Sequence, residues 1–260
     1  MSSSPDDQAE QTPRPARPLA ERMRPQRLEE VRGQSHLLGK DCLLPKLIRE
    51  NRVSNLILAG PPGTGKTTLA TVIAEESSCK LIKLNAVTSN VAELRESLKL
   101  VRYYGAEKCF LFVDEIHRFN KAQQDLLLPD IESGDARLIG ATTHNPRYYI
   151  IDPLLSRSQL FTLESLEVQD IEEALLTCME EQDRGLGSRK CLTEPKAINQ
   201  IACLAEGDLR KAYNILEIIV DGLSDKGRVS EDSVALFAKE RSIRYDRDED
   251  EHYDTASALI

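Results

Sequence analysis

The sequence predicts an α/β fold, a parallel sheet with helices on both faces, followed by a small all-helical domain. Apolar runs of strand length occur at 55–59, 80–84, 109–113 and 137–140. Amphipathic, helix-like stretches separate them at about 66–77, 90–103 and 120–131. Strands that alternate with helices are typical of a parallel sheet that is buried on both faces.

The periodicity changes after Leu163, where strand-like runs stop and helical spacing takes over. Helices are predicted at 168–182, 194–205, 208–221 and 231–240. The first residues contain four Pro and three Ser with few apolar side chains, which is typical of disorder. We therefore divide the chain into a disordered leader at 1–18, an α/β domain at 19–165, a helical lid domain at 166–242 and a C-terminal region at 243–260.

Composition excludes several classes of protein. The 260 residues are 40% hydrophobic and 30% charged, without an apolar run of membrane-spanning length or a signal peptide, so we expect a soluble intracellular protein. Six Cys without C-x-x-C and four dispersed His argue against zinc or a disulfide framework. The net charge of −9 argues against a protein that coats nucleic acid generally, although the acidic stretch 246–254 supplies much of it and leaves room for a local basic surface.

A glycine-rich loop carries the strongest chemical signal. It follows an apolar strand, precedes a helix, and satisfies G-x-x-x-x-G-K-[ST]. Such a loop wraps phosphate with backbone N–H groups at a helix N-terminus. Lys66 would neutralise the β- and γ-phosphates of ATP, and the Thr67 hydroxyl would bind Mg²⁺. The predicted nucleotide-binding residues here are Gly60, Pro61, Pro62, Gly63, Thr64, Gly65, Lys66, Thr67 and Thr68.

Two acids end the apolar run at 109–113. The carboxyl end of a parallel strand is where ligands bind in open α/β sheets, so Asp114 and Glu115 are expected beside the phosphate loop. Asp114 would orient Mg²⁺, and Glu115 would polarise the attacking water. Together with the loop, the pair favours hydrolysis over binding alone.

The loop GPPGTGKT and the segment DEIHRFNKAQQD resemble those of an AAA+ ATPase. Other segments resemble one family within this class, that of the replication-associated recombination protein A and the Werner-helicase-interacting ATPase. These segments are RMRP, GQSHLLG, NAVTSNVAELRE, LPDIESG and LIGATTHNP. The resemblance runs from about Leu19 to the end of the chain. It implies a P-loop AAA+ fold with a helical lid.

The resemblance implies three further functional positions. Thr143, with Thr142 as the alternative, matches the first sensor near the γ-phosphate. Arg157 matches an arginine finger, which stabilises transition-state charge in the site of a neighbouring subunit. Arg210 matches a second sensor that reaches the phosphates of its own subunit from the lid.

Three further features carry weaker signals of function, and for two of them the sequence allows two interpretations. His117 either relays the state of the nucleotide or is a hydrogen-bonded structural residue. RMRP (Arg22–Pro25), with Val31, Gly33 and Gln34, lies where related ATPases bind adenine. The helix after 119–121, with Gln123 and Gln124, is either a polar surface, which we favour slightly, or part of a DNA-contacting face.

The sequence also departs from the family. His144 stands where an acid is more usual, and Ser158 where Cys is. Residues 245–260 resemble only the beginning of the family's helical tetramerisation domain, and no Cys/His zinc finger precedes the ATPase core. A homo-oligomer, and any activity that needs Arg157 in a neighbouring site, is therefore in doubt.

The resemblance implies an Mg²⁺-dependent ATP hydrolase that is stimulated by DNA and acts on stalled replication forks or single-strand/double-strand junctions in recombination and repair. The alternatives are a clamp-loader-like assembly switch, and a truncated monomer that binds ATP but hydrolyses it poorly. Single-strand-binding protein or other replication proteins are expected partners, and no membrane is. The expected compartment is the cytoplasm, or the nucleus if the source is eukaryotic.

Overall fold

The computed structural model describes residues 17–223 and 227–239. Its main sheet has five parallel strands in the spatial order β2-β3-β4-β1-β5. These strands are β1 (Leu56–Ala59), β2 (Lys80–Asn85), β3 (Cys109–Asp114), β4 (Arg137–Thr142) and β5 (Gln159–Thr162). A second, two-stranded parallel sheet pairs β6 (Leu192–Thr193) with β7 (Arg228–Val229). The predicted α/β class and the helical second part are both confirmed.

Helices fill the connections and form the second part of the chain. The first nine are α1 (Leu19–Arg22), α2 (Ser35–Leu38), α3 (Leu43–Arg49), α4 (Lys66–Glu76), α5 (Val91–Tyr104), α6 (Lys121–Asp125), α7 (Leu128–Ser133), α8 (Pro146–Tyr149) and α9 (Asp152–Leu155). They are followed by α10 (Val168–Glu180), α11 (Pro195–Ala205), α12 (Leu209–Asp221) and α13 at 231–239. Short 3₁₀ turns occupy Leu28–Glu30, Ala106–Lys108, Ile116–Arg118 and Gly187–Arg189.

Both faces of the main sheet are buried. Side chains alternate along β3, so that Leu111 and Val113 enter one core, while Phe110 and Phe112 enter the other. Helix α5 contributes Leu94 and its neighbours to the first core, and α4 contributes to the second. Burial on both sides explains why β3 is continuously apolar.

The structure differs from the sequence prediction in three places. The second part of the chain, predicted to be all-helical, also contains the short strands β6 and β7. β5 was not predicted, because this edge strand has only two apolar residues, Leu160 and Phe161, and most of it is exposed. The helix predicted at 120–131 is divided into α6 and α7. Pro129 lies in the first turn of α7, where its missing N–H is tolerated, whereas inside one long helix it would remove a hydrogen bond.

The second part of the chain has its own core, which includes residues from the N-terminal segment. Leu19 and Met23 pack into it together with side chains of α10, α11 and α12. The Glu217 carboxylate accepts hydrogen bonds from the Leu19 backbone N–H at 3.0 Å and from Arg22 Nη2 at 3.1 Å. Helix α1 is thus attached to the helical part of the chain.

The predicted leader, apart from residues 17 and 18, and the C-terminal region 243–260 lie outside the described residues. Within the described ranges, no helix combines the length and the apolar character that a bilayer span needs.

Gln124 connects the end of the 3₁₀ turn after β3 to the junction between α8 and α9. Its side chain is 1% exposed, so neither a polar surface nor a DNA-contacting face describes it, and our slight preference for the surface was wrong for this residue. Gln124 Nε2 donates to the carbonyls of Phe119 and Tyr149, both at 2.9 Å, and Oε1 accepts from the Ile151 N–H at 3.0 Å. Gln123 instead completes a capping box with Asn120 at the start of α6.

We expect Gln124→Met to lower the free energy of unfolding by about 2–4 kcal/mol, because it keeps the side-chain volume but leaves buried backbone groups without partners. Chemical denaturation of the full chain measures the change. The control is Gln123→Met, which removes a bond at a solvent-accessible helix end and should cost about 0.5–1 kcal/mol. Equal losses in the two variants would contradict this assignment.

Candidate active site

A cavity of about 470 Å³ lies between the carboxyl edge of the main sheet and the helical part of the chain. Residues distant along the chain line it: the N-terminal segment, the phosphate loop, the ends of β3 and β4, Leu166, and the start of α12. The predicted site residues that line it are Pro62, Gly63, Thr64, Gly65, Lys66, Thr67, Thr68, Asp114, Glu115, Thr143 and Arg210. A concave pocket between two domains with converging polar groups is typical of a ligand site.

The phosphate loop runs from the end of β1 into α4. Gly65 precedes α4 with φ of +97°, a conformation that favours glycine. Lys66 Nζ donates to the carbonyls of Gly60 and Pro61, both at 2.7 Å, and the residue is 8% exposed. Burial lowers the pKa of Lys66, against the opposing effects of Glu115 and Asp114. The loop thus holds its ammonium group at the N-terminus of α4, where phosphate binding is favoured.

The helical part of the chain touches the phosphate loop through Asp208. Gly63 has φ of +72°, and a Cβ built on it would lie 1.9 Å from Asp208 Oδ1. Asp208 also begins α12, since its Oδ1 accepts from the Lys211 N–H at 3.0 Å. Only glycine allows this close approach between the loop and the cap of α12. The predicted helix 208–221 began at Asp208, but no role was predicted for this residue, although Asp at the start of a helix is a typical N-cap.

Asp114 lies at the end of β3, facing the phosphate loop. Its Oδ2 is 3.5 Å from Thr67 Oγ1, and its Oδ1 accepts from the Glu115 N–H at 3.1 Å. Burial, and next the charge of Glu115, raise the pKa of Asp114, while Lys66 and Arg210 act in the opposite direction. The carboxylate is therefore held between charges of both signs.

The donor set at Thr67 and Asp114 fits Mg²⁺. A hydroxyl and a carboxylate are the hard oxygen ligands that this ion prefers, and Mg²⁺ usually takes its other ligands from phosphates and water. The described residues contain no cluster of three or more His, Cys, Asp or Glu side chains suited to a metal. Bound phosphates and water would therefore supply the rest of its ligands.

Glu115 has left-handed backbone geometry, with φ of 52° and ψ of 43°. Non-glycine residues adopt it at a cost, and such positions are common at functional sites. Its Oε2 accepts from Thr143 Oγ1 at 3.2 Å and lies 3.2 Å from His117 Nδ1. Thr142, the alternative first sensor, is fully buried and does not line the cavity, whereas Thr143 does.

The two predicted arginines lie in different places. Arg210, near the start of α12, lines the cavity. Arg157 does not line it: its Nη2 is 2.7 Å from Glu132 Oε1, and its Nη1 donates to the Pro153 carbonyl at 2.8 Å. Arg157 is exposed and lies outside the cavity of its own chain.

Part of the predicted adenine region reaches the cavity. Met23, Arg24, Pro25 and Val31 line it, together with Tyr213 and Asn214 of α12, which the sequence analysis did not name. Three other predicted residues do not line it. Arg22 contacts Glu217, Gly33 packs against Leu166 and Asp170, and Gln34 exchanges two hydrogen bonds with the Glu164 backbone.

The chain is similar in sequence and fold to known ATPases. The family described as "ATPase family associated with various cellular activities (AAA)" matches residues 56–166, and the one described as "AAA C-terminal domain" matches residues 187–260. The solved structure of the Holliday junction branch migration motor RuvB of Thermotoga maritima superposes with a TM-score of 0.68 and 28% identity, over 82% of this chain and 71% of that one.

Similar proteins of known name indicate which family of ATPases the chain resembles. The replication-associated recombination protein A of Escherichia coli K12 is 43% identical over 248 residues, which is 93% of this chain and 56% of that protein. The ATPase WRNIP1 of Dictyostelium discoideum is 37% identical over 93% of this chain and 30% of its own length. The chain spans little more than half of the bacterial relative and under a third of the other.

The strand order, the phosphate loop and the lid that meets it define a P-loop ATPase of the AAA+ class. Within that class, the chain belongs to the family of the replication-associated recombination protein A and WRNIP1, as the resemblance implied.

We expect Gly63→Ala to weaken nucleotide binding more than about tenfold, because a Cβ at positive φ is strained and meets Asp208. Titration with a fluorescent ATP analogue measures the affinity. The matched control is Gly134→Ala, whose φ of +78° is similar but whose Cβ would meet no atom within 4 Å. Equal affinity in the two variants would show that contact with Asp208 does not shape the loop.

Proposed function

We propose that this chain binds and hydrolyses ATP with Mg²⁺, and that the energy is used on DNA at stalled replication forks or single-strand/double-strand junctions. The observation that carries the proposal is a single cavity lined by Lys66, Thr67, Asp114, Glu115 and Arg210. These are the charged and hydroxyl groups that phosphoryl transfer to water requires, and they converge from separate elements.

Each side chain has a proposed role. The phosphate loop binds the phosphates through its backbone N–H groups, and Lys66 exchanges its two carbonyl acceptors for phosphate oxygens. Thr67 and Asp114 hold Mg²⁺, which when bound neutralises phosphate charge. Glu115 accepts a hydrogen bond from the attacking water, polarising it for attack.

Thr143 and Arg210, which both line the cavity, sense the γ-phosphate from different parts of the chain. Thr143 follows β4, whereas Arg210 belongs to α12 in the helical part of the chain. Nucleotide that contacts both would favour one relative position of the two parts, because only differential contacts shift such an equilibrium.

We expect Glu115→Gln to bind ATP within about threefold of wild type and to lower turnover by roughly 10²–10³-fold, since an amide cannot accept the proton of the water. Nucleotide titration and a phosphate-release assay measure the two quantities. Glu50→Gln is the isosteric control: it makes the same charge change at a residue outside the cavity. Wild-type turnover in Glu115→Gln would overturn the assignment.

Arg157 is proposed to complete the site of a neighbouring copy. Its exposed position and its exchangeable ion pair with Glu132, whose side chains are 40% and 48% exposed, leave the guanidinium accessible to another chain. An exposed ion pair of this kind contributes little stability, about 0–1 kcal/mol, so releasing it is inexpensive.

We expect Arg157→Ala to keep ATP affinity but lose at least about 100-fold in turnover, with the exposed Arg52→Ala as control. Mixing Arg157→Ala with Glu115→Gln should restore part of the turnover, because some mixed interfaces combine an intact Arg157 with an intact Glu115. Light scattering at the same concentrations reports assembly. Normal turnover in Arg157→Ala, or a strict monomer that turns over normally, would remove the finger from the mechanism.

The DNA part of the proposal is supported by the bacterial relative, which is named a replication-associated recombination protein. Fluorescence anisotropy with fork, duplex and single-stranded DNA at two salt concentrations tests it, since contacts to phosphate weaken as salt rises. Retention by a sliding clamp, without preference for fork DNA, would instead favour the clamp-loader-like switch.

A further inference from the structure

The carboxylate of Glu115 is held by two donors that belong to different strand ends. His117, in the 3₁₀ turn after β3, and Thr143, directly after β4, both approach the same oxygen, Oε2, at 3.2 Å. Hydrogen bonds to an ionised group are among the stronger ones in proteins. A carboxylate that accepts from both is less free to accept from a water.

The contacts of Thr142 and Glu115 together indicate which nitrogen of His117 carries the proton. The Thr142 hydroxyl is 3.3 Å from the His144 carbonyl, which takes its one proton, and it accepts from the His144 N–H at 3.0 Å. It therefore accepts from His117 Nδ1, which lies 3.0 Å away. Acceptors on both sides of Nδ1, Thr142 and Glu115, require that Nδ1 carry the hydrogen.

The other ring nitrogen is consistent with this tautomer. His117 Nε2 is buried and has no hydrogen-bond partner within the described part of the chain, so a proton there would be unsatisfied. The side chain is 4% exposed, and the rings of His144 and Tyr149 pack against it at centroid distances of 4.0 and 5.9 Å. Burial, followed by the proximity of His144, lowers the pKa of His117, which keeps the ring neutral.

Both donors have a second acceptor. The N–H of His117 is shared between Glu115 and Thr142, and the hydroxyl of Thr143 lies 3.3 Å from His144 Nδ1 as well as 3.2 Å from Glu115. When Glu115 turns away, each donor keeps a partner. Release of the carboxylate therefore leaves no buried donor unsatisfied, which makes the contact reversible.

We propose that His117 is a positioning residue that holds Glu115 in a resting orientation, and that Thr142 is the acceptor that lets His117 release it. This inference rests on the proposed role of Glu115 in activating water. A γ-phosphate that competes for the Thr143 hydroxyl removes the other donor, so bound ATP and release of Glu115 are coupled.

The tautomer can be tested without hydrolysis. Long-range ¹H–¹⁵N correlation spectra of the full chain distinguish ring protonation at Nδ1 from that at Nε2, and His117→Gln identifies the signal. We expect a neutral ring protonated at Nδ1 in the nucleotide-free protein at pH 7. Protonation at Nε2 would overturn the proposal, because Nδ1 could then not donate to Glu115.

Steady-state kinetics test the release of Glu115 with two variants that should change kcat in opposite directions. His117→Leu should raise basal kcat roughly three- to tenfold, and Thr142→Val should lower it by a similar factor, both with KM for ATP within about twofold. The double variant should follow His117→Leu, since no ring proton remains to be left unsatisfied. His117→Gln, which keeps an N–H donor, should fall nearer to wild type than His117→Leu.

A merely structural His117 would give a different pattern, in which both single variants lower kcat and melting temperature and their effects add. That result would overturn the proposal. If His117→Leu does not fold, unchanged kcat in Thr142→Val overturns it instead. Failure of the proposed function can be distinguished from failure of this inference. Normal turnover in Glu115→Gln would contradict the proposed function, whereas the tautomer of His117 is still measured from the spectra.

Discussion

The site depends on one constraint, the parallel register of the main sheet. β4 pairs with β1 on one side and with β3 on the other, so that Ala59 lies beside Thr142 and Val113 beside Gly140. Because parallel strands end at the same edge, the groups that follow them meet there without any further device. The phosphate loop, the acidic pair and the two threonines are thus neighbours in space although up to about 80 residues separate them along the chain.

Two contacts of the helical part of the chain involve segments that line the cavity at this edge. Glu217 holds the N-terminal segment through Leu19 and Arg22, whose ion pair with Glu217 is about one quarter exposed on each side. Asp208 contacts the phosphate loop at Gly63. The walls of the cavity therefore belong to both parts of the chain, and the free energy of binding any ligand there depends on how the two parts are arranged.

Burial has opposite effects on the ionisable groups of the cavity. It lowers the pKa of Lys66 and raises that of Asp114, because in both it disfavours the charged form. Each is stabilised in turn by the opposite charge of the other. Perturbed groups that face one another in a cleft are characteristic of functional sites.

The sequence predicted four of the five strands of the main sheet, because buried strands such as β3 are continuously apolar, but not β5, which is polar and exposed at the edge. It also predicted the residues of the phosphate loop and the acidic pair, since backbone wrapping of phosphate demands a local pattern that can be recognised in eight consecutive letters. A site formed by consecutive residues can therefore be recognised from the sequence alone.

Contacts between distant residues were decided only by the tertiary structure. Gln124 is a polar residue of a type that usually lies on the surface. Folding nevertheless buries it between three backbone groups, and the local sequence pattern does not predict these contacts. The same holds for Asp208 against Gly63 and for His117 between Glu115 and Thr142. The physical reason is that a hydrogen bond or a close approach depends on distances of a few tenths of an ångström, and packing determines these distances whereas periodicity does not.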